Sequence, residues 1–191
     1  AIAAVGTVIK ADPRAMSVAL GTVFCLNALA LFLFPPLGHV LGLSQREFGL
    51  WAAIAIHDTS SVVGAAAKYG EEALVVATTV KLVRTLWILP LTLALALFRR
   101  QRAAAVGFPW FAVFFIAAAA ARTLWPEHEA AYLLIKRAGI LGLTLTLFFI
   151  GSGLSRQAIK SVGARPMVQG ALLWIAVAAA GLIAVRMLGR L

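Results

Sequence analysis

The chain has 191 residues, of which 62% are hydrophobic and 13% are charged, so its apolar fraction exceeds that of an ordinary soluble domain. The formal net charge is +10, but the basic residues stand at the ends of apolar segments and in short linkers, a pattern that argues against nucleic acid as a partner. The single cysteine, Cys25, excludes disulfides within the chain, CxxC redox motifs and thiolate metal sites. The composition therefore predicts an all-α integral membrane protein in a lipid bilayer.

Several apolar segments are long enough to cross a hydrocarbon core of about 30 Å, which takes roughly 20 helical residues. The five predicted transmembrane helices are residues 15–41, 74–98, 108–125, 138–154 and 167–185. A sixth segment, 48–69, carries polar residues at its centre and is expected to form an interrupted or re-entrant helix. The apolar runs are too long for barrel strands, and backbone groups in lipid must be paired internally. Residues 1–191 are therefore interpreted as a single helical membrane domain.

Two features indicate that this domain is part of a larger fold. The chain begins at Ala1 without an initiator methionine or the plan of a signal peptide, and we expect an N-terminal half to be missing. Residues 3–19 also align weakly with residues 61–77. Repeats of interrupted helices, often inverted, are typical of secondary transporters, so an inverted-repeat transporter fold is predicted. The basic residues place linkers 99–107 and 155–166 on the cytoplasmic side, but they do not decide whether 48–69 crosses or turns back.

The centre of segment 48–69 holds five consecutive polar residues: His57, Asp58, Thr59, Ser60 and Ser61. An ionisable side chain inside the membrane is costly and usually faces a cavity or a partner. Unwinding at Asp58 to Ser61 would direct the positive N-terminal end of the second half-helix into a cavity, where it could bind an anion. The alternative is that Asp58 only caps a helix and that the hydroxyls bond to carbonyls four residues back.

The next span adds two cations, Lys81 and Arg84, which share one helix face because they are three residues apart. Asp58 can neutralise only one of them, so an anionic substrate would complete the site. Arg84 is suited to a forked contact with an oxyanion, and Lys81 would act as a point charge. The alternative is a buried ionic lock, in which an ion pair with Asp58 joins two helices.

Other sequence features favour neither an enzyme nor a metalloprotein. No GxSxG, HExxH, P-loop or dinucleotide-binding motif is present. His39 and His128 lack the spacing to form a metal site with His57. Asn27, in the middle of the first span, is expected to make an interhelical hydrogen bond. We therefore expect no enzymatic activity, no cofactor and no bound metal.

Residues 41–91 resemble the core of the sulfate exporter (YeiH-type) family of bacterial inner-membrane proteins. The shared landmarks are Gly42-Leu43-Ser44, Phe48-Gly49, Trp51-Ala52, Ile56-His57-Asp58 and Lys81-Leu82-Val83-Arg84. The resemblance implies a multi-pass protein of the inner membrane and a longer chain with further spans before Ala1. Many family members carry His-Glu and a Gln where this chain has His57-Asp58 and Ser60-Ser61, which leaves the substrate preference open.

The residues and the resemblance together predict a secondary transporter that exports a small anion, such as sulfate or a related sulfur oxyanion, by alternating access. Its substrate-binding residues would be Thr59, Ser60, Ser61, Lys81 and Arg84. His57 or Asp58 would carry a coupling H⁺, because histidine titrates near neutral pH. Two alternatives stay open: a Na⁺-coupled organic-anion symporter, with Asp58 and unwound carbonyls holding the cation, and a non-transporting membrane component with a buried ionic lock. A homo-oligomer is compatible with each.

Overall fold

The computed structural model describes residues 11–87, 90, 94, 110–153 and 163–189, and these residues form helices and no strands. The helices are α1 (Pro13–Val40), α2 (Gln45–Ala55), α3 (Thr59–Tyr69), α4 (Glu71–Leu86), α5 (Trp110–Leu124), α6 (Glu129–Gly153) and α7 (Ala164–Leu188). The chain divides into two compact units. One unit holds Asp12–Lys81 with Leu143–Leu191, and the other includes Leu82–Gly142.

Two of the described helices, α1 and α7, are long and apolar enough to cross a membrane, judged by length and composition. Both leave large apolar side chains exposed, among them Phe32, which is 66% exposed, and Leu172 and Leu173. Water would be a poor solvent for so much apolar surface, whereas lipid covers it at no cost. These faces are consistent with a membrane protein.

The helix ends differ in places from the predicted spans. Where the sequence predicts a span at 138–154, α6 already begins at Glu129. Segment 48–69 forms two helices, α2 and α3, of 11 residues each. Residues 1–10, which hold most of one copy of the predicted repeat, lie outside the described residues, as do 95–109 and 154–162 with their basic side chains.

A capping box fixes the start of α2. The Ser44 hydroxyl accepts the N–H of Glu47 at 3.2 Å, and the Glu47 carboxylate accepts the N–H of Ser44 at 2.8 Å. This reciprocal pair satisfies backbone donors that a helix N-terminus leaves unpaired. Donation to the Glu47 carboxylate from the backbone N–H of Ser44, and secondly from its side chain, holds the pKa of Glu47 below its usual value.

Aromatic side chains fill the core of the unit that contains α1, α2, α3 and α7. Phe34 of α1 stacks on Trp51 of α2 with ring centroids 4.3 Å apart, and Phe48 stacks on Tyr69 of α3 at 3.8 Å. Gly38 of α1 lies beside this second pair: a Cβ there would approach Phe48 to 2.5 Å and Tyr69 to 2.8 Å. The absence of a side chain at residue 38 therefore permits α1 to pack closely against both half-helices.

We predict that Gly38→Ala destabilises the protein by about 1–3 kcal/mol, because the added methyl group would displace two stacked rings. The measurement is the midpoint of thermal unfolding in detergent micelles. Gly139→Ala is the control, because nothing lies within 4 Å of a Cβ added at residue 139 in α6. An unchanged midpoint for Gly38→Ala would contradict the packing described.

A second prediction follows from the capping box. Because folding lowers the pKa of Glu47, its carboxylate adds stability above the unfolded-state pKa, and that stability is lost as the pH falls through the folded-state value. Glu47→Gln keeps an acceptor for the N–H of Ser44 but does not titrate. We expect the unfolding midpoint of the variant to fall less than that of the wild type when the pH is lowered from about 6 to about 3. Equal slopes would rule out a stabilising role for this carboxylate.

Candidate functional site

The interrupted helix is the centre of the candidate site. Helix α2 ends at Ala55 and α3 begins at Thr59, with an extended backbone at Ile56 (φ −91°, ψ 129°) and Asp58 (φ −101°, ψ 156°). The break therefore lies at residues 56–58, and the sequence-based placement of the unwound segment at Asp58 to Ser61 is wrong. The reason is local: the Asp58 carboxylate accepts the N–H of Ser61 at 2.8 Å, and this N-cap starts a helix directly after Asp58.

At the first end of the break, side chains from two other helices satisfy the carbonyl groups that end α2. Such terminal carbonyls have no partner within their own helix. The indole Nε1 of Trp174, on α7, donates to the carbonyl of Ala55 at 3.0 Å. The ammonium of Lys81, on α4, donates to the carbonyl of Ala53 at 3.4 Å and also to that of Ile56. The lysine is only 4% exposed, so the negative end of α2 is closed by a buried cation.

At the second end of the break, the first turn of α3 presents unused donors. Within the part of the chain that the structure describes, neither the N–H groups of Thr59 and Ser60 nor the hydroxyls of Thr59, Ser60 and Ser61 make a hydrogen bond. By contrast, the hydroxyl of Thr22 bonds to a carbonyl four residues back at 2.8 Å. Of the two features of the alternative interpretation, the structure shows the helix cap by Asp58. It does not show hydrogen bonds from the three hydroxyls to carbonyls four residues back.

The structure adds Asn27 of α1 to the candidate site, although the sequence predicted only an interhelical hydrogen bond for it. Its Oδ1 accepts the N–H of His57 at 3.0 Å, which ties α1 to the break and fixes the orientation of the amide. Its Nδ2 is buried and makes no hydrogen bond with the described residues, although the side chain is only 1% exposed. A buried donor without a partner costs about 1–3 kcal/mol, which points to an acceptor at the break. The sequence feature that could have identified Asn27 as a site residue is a polar amide in the middle of an apolar span.

The predicted site residues divide into two groups. The first group lies at the break: Thr59, Ser60 and Ser61 form the first turn of α3, and Lys81 contacts the end of α2. His57 and Asp58 lie between them, with the side chain of His57 exposed and that of Asp58 half-buried. Arg84 is exposed, three residues beyond Lys81 on α4, and belongs to the other compact unit.

The charges at the break do not form the predicted lock. The Asp58 carboxylate caps α3, and it takes part in no ion pair among the described residues. Among the described residues, the structure records an ion pair between Arg122 and Glu129 at 3.8 Å, and both residues belong to the other unit. No group of three or more metal-ligating side chains occurs in the ranges described.

We predict that Asp58→Ala lowers the free energy of unfolding by about 0.5–2 kcal/mol, the usual cost of losing an N-cap. Asp58→Ser should recover most of that loss, because a serine hydroxyl can accept the same N–H. Thermal unfolding of both variants in micelles measures the difference. A loss of about 3–5 kcal/mol in both variants would indicate instead a buried ion pair broken by removal of its carboxylate.

Comparison with known proteins shows which family the chain belongs to. The family model described as "Conserved hypothetical protein 698" matches residues 1–170. The UPF0324 membrane protein of Bacteroides thetaiotaomicron is 52% identical over 93% of this chain and 54% of its own length. Those of Porphyromonas gingivalis and Bdellovibrio bacteriovorus are 53% and 49% identical, over 95% and 97% of this chain and 56% and 59% of their own lengths. The chain thus spans a little over half of these relatives. No solved structure matches it.

Proposed function

The chain belongs to the UPF0324 family of membrane proteins, and from its interrupted helix we propose that it is part of a secondary transporter for a small anion, sulfate or a related sulfur oxyanion, that works by alternating access. The proposal includes a multi-pass location in the bacterial inner membrane and a role in export, both taken from the sequence resemblance. It includes neither an enzymatic step nor a cofactor.

The observation that carries the proposal is the set of hydrogen-bond donors in the first turn of α3 that the Asp58 cap leaves unused. Two backbone N–H groups and three hydroxyls stand in one helical turn, and none of them has a partner among the described residues. Ser60 and Ser61 are 7% and 4% exposed, so these donors lie at the edge of the packed interior. The positive end of a helix dipole with free N–H groups is a general anion site, and a sulfate oxygen is a suitable acceptor.

Asn27 would add a further donor to this site. Its Oδ1 accepts the N–H of His57, and this contact leaves both Nδ2 hydrogens available to donate. Donation to an anion would remove the cost of a buried unpaired group. The proposal also includes the forked contact between Arg84 and the oxyanion that the sequence predicts. His57 or Asp58 would carry the coupling H⁺.

Two other functions are less well supported. A Na⁺-coupled symporter would need the unwound carbonyls for its cation, whereas the ammonium of Lys81 already contacts those of Ala53 and Ile56. A non-transporting component held together by an ionic lock would need an ion pair for Asp58, and the structure records none within its described ranges.

The test is uptake of radiolabelled sulfate and sulfite into proteoliposomes that contain the full-length protein, with and without a proton gradient. We expect saturable uptake that the double variant Ser60→Ala, Ser61→Ala weakens. The control is Ser152→Ala, whose hydroxyl bonds to the carbonyl of Phe149 on α6. Transport equal to wild type in the double variant would refute the site, and folded wild-type protein that transports neither anion would refute the substrate class.

Asn27→Asp isolates the amide donor. The variant keeps an oxygen that can accept the N–H of His57, but it replaces the unpaired donor by an acceptor. We expect the anion affinity to fall about tenfold or more, because a hydrogen bond to a charged group contributes about 1.5–3 kcal/mol. The measurement is the apparent affinity in the uptake assay. An unchanged affinity would place Asn27 outside the substrate site.

A further inference from the structure

We propose that the ammonium of Lys81 is a built-in cation that occupies a monovalent-cation site at the C-terminal end of α2, so that transport needs no Na⁺. The cation site is a property of the fold and can be tested without transport. The conclusion about Na⁺ rests on the proposed function.

The contacts of Lys81 are those expected of a bound cation. Its Nζ donates to the carbonyl oxygens of Ala53 and Ile56, one in the last turn of α2 and one directly after it. Carbonyls at the unwound ends of interrupted membrane helices are also the groups that coordinate Na⁺ in transporters of this architecture. The ammonium therefore stands where a free cation would find its ligands.

Burial explains why the ammonium of Lys81 needs hydrogen-bond partners. Lys81 is 4% exposed, and a buried ammonium is costly unless it is paired or fully hydrogen-bonded. The negative end of the α2 dipole supplies a favourable field, which is concentrated in the last turn of the helix. The neighbouring carbonyl of Ala55 accepts the indole N–H of Trp174, so Trp174 and Lys81 together supply donors to the carbonyls at this end of α2.

Removal of the lysine side chain would expose this latent site. In Lys81→Ala, the carbonyls of Ala53 and Ile56 lose the ammonium, and the volume of three methylene groups and the charged head becomes available. A small cation that enters this volume would restore the lost interaction. The ligand class is thus a monovalent cation of the size of NH₄⁺, Na⁺ or a short alkylammonium ion.

The experiment measures the unfolding midpoint of Lys81→Ala in micelles at constant ionic strength, in chloride salts of N-methylglucamine, sodium, ammonium and ethylammonium. We expect a midpoint several degrees below wild type in the bulky glucamine salt and a saturable increase with at least one small cation. Wild type and the control variant Lys68→Ala should show no such selectivity. Lys68 is an exposed lysine whose ammonium lies over the ring of Phe32, so it reports general effects of losing a lysine.

Several results would overturn the proposal. One is a Lys81→Ala variant that responds to the four salts as the wild type does, or that folds in none of them. Another is a Lys81→Gln variant as stable as the wild type, because an amide supplies N–H donors without charge. A third is a wild-type protein that Na⁺ itself stabilises selectively, since the site would then be open.

Transport separates this inference from the proposed function. Replacement of Na⁺ by choline should leave anion uptake by the wild type unchanged, and Na⁺-dependent uptake would refute the independence from Na⁺. A wild type that transports no tested anion would refute the proposed function, while the salt-dependent unfolding of Lys81→Ala would still decide whether the cation site exists.

Discussion

The fold around the candidate site depends on one constraint: a helix interrupted inside an apolar core leaves unpaired backbone groups at both of its new ends. An unpaired backbone group in such surroundings costs several kcal/mol. Here Trp174 and Lys81 close the end of α2, and Asn27 holds the extended segment at His57. The three side chains come from α7, α4 and α1, so the interruption organises the packing of its neighbours.

The two ends of the break are treated differently, and this difference suggests a function. The negative end of α2 is closed by the side chain of Lys81, whereas the positive end of α3 retains free donors beside the single cap from Asp58. A purely structural interruption would be expected to satisfy both ends. The excess of donors at α3, together with the unpaired Nδ2 of Asn27, favours a site that an anion completes.

Membrane residence and the family relationship set the context for this chemistry. The apolar outer faces of α1 and α7 suit a lipid environment, and the relatives are named as membrane proteins. Their printed names state no activity. The break, rather than the family, is therefore the source of the functional argument, and Lys81 is a cation that the structure ties to it.

The sequence by itself determined the all-helical character, the membrane location and the interruption of segment 48–69, because composition, apolar length and the run of polar residues are properties of the chain alone. It also identified Asp58 as a cap, although the hydrogen bond to Ser61 moved the break toward the first half-helix. Only the tertiary structure decided that Lys81 meets carbonyls rather than Asp58, and that Asn27 reaches His57. Helical periodicity indicates which face a side chain occupies, but it carries no information on which atoms of another helix lie opposite that face.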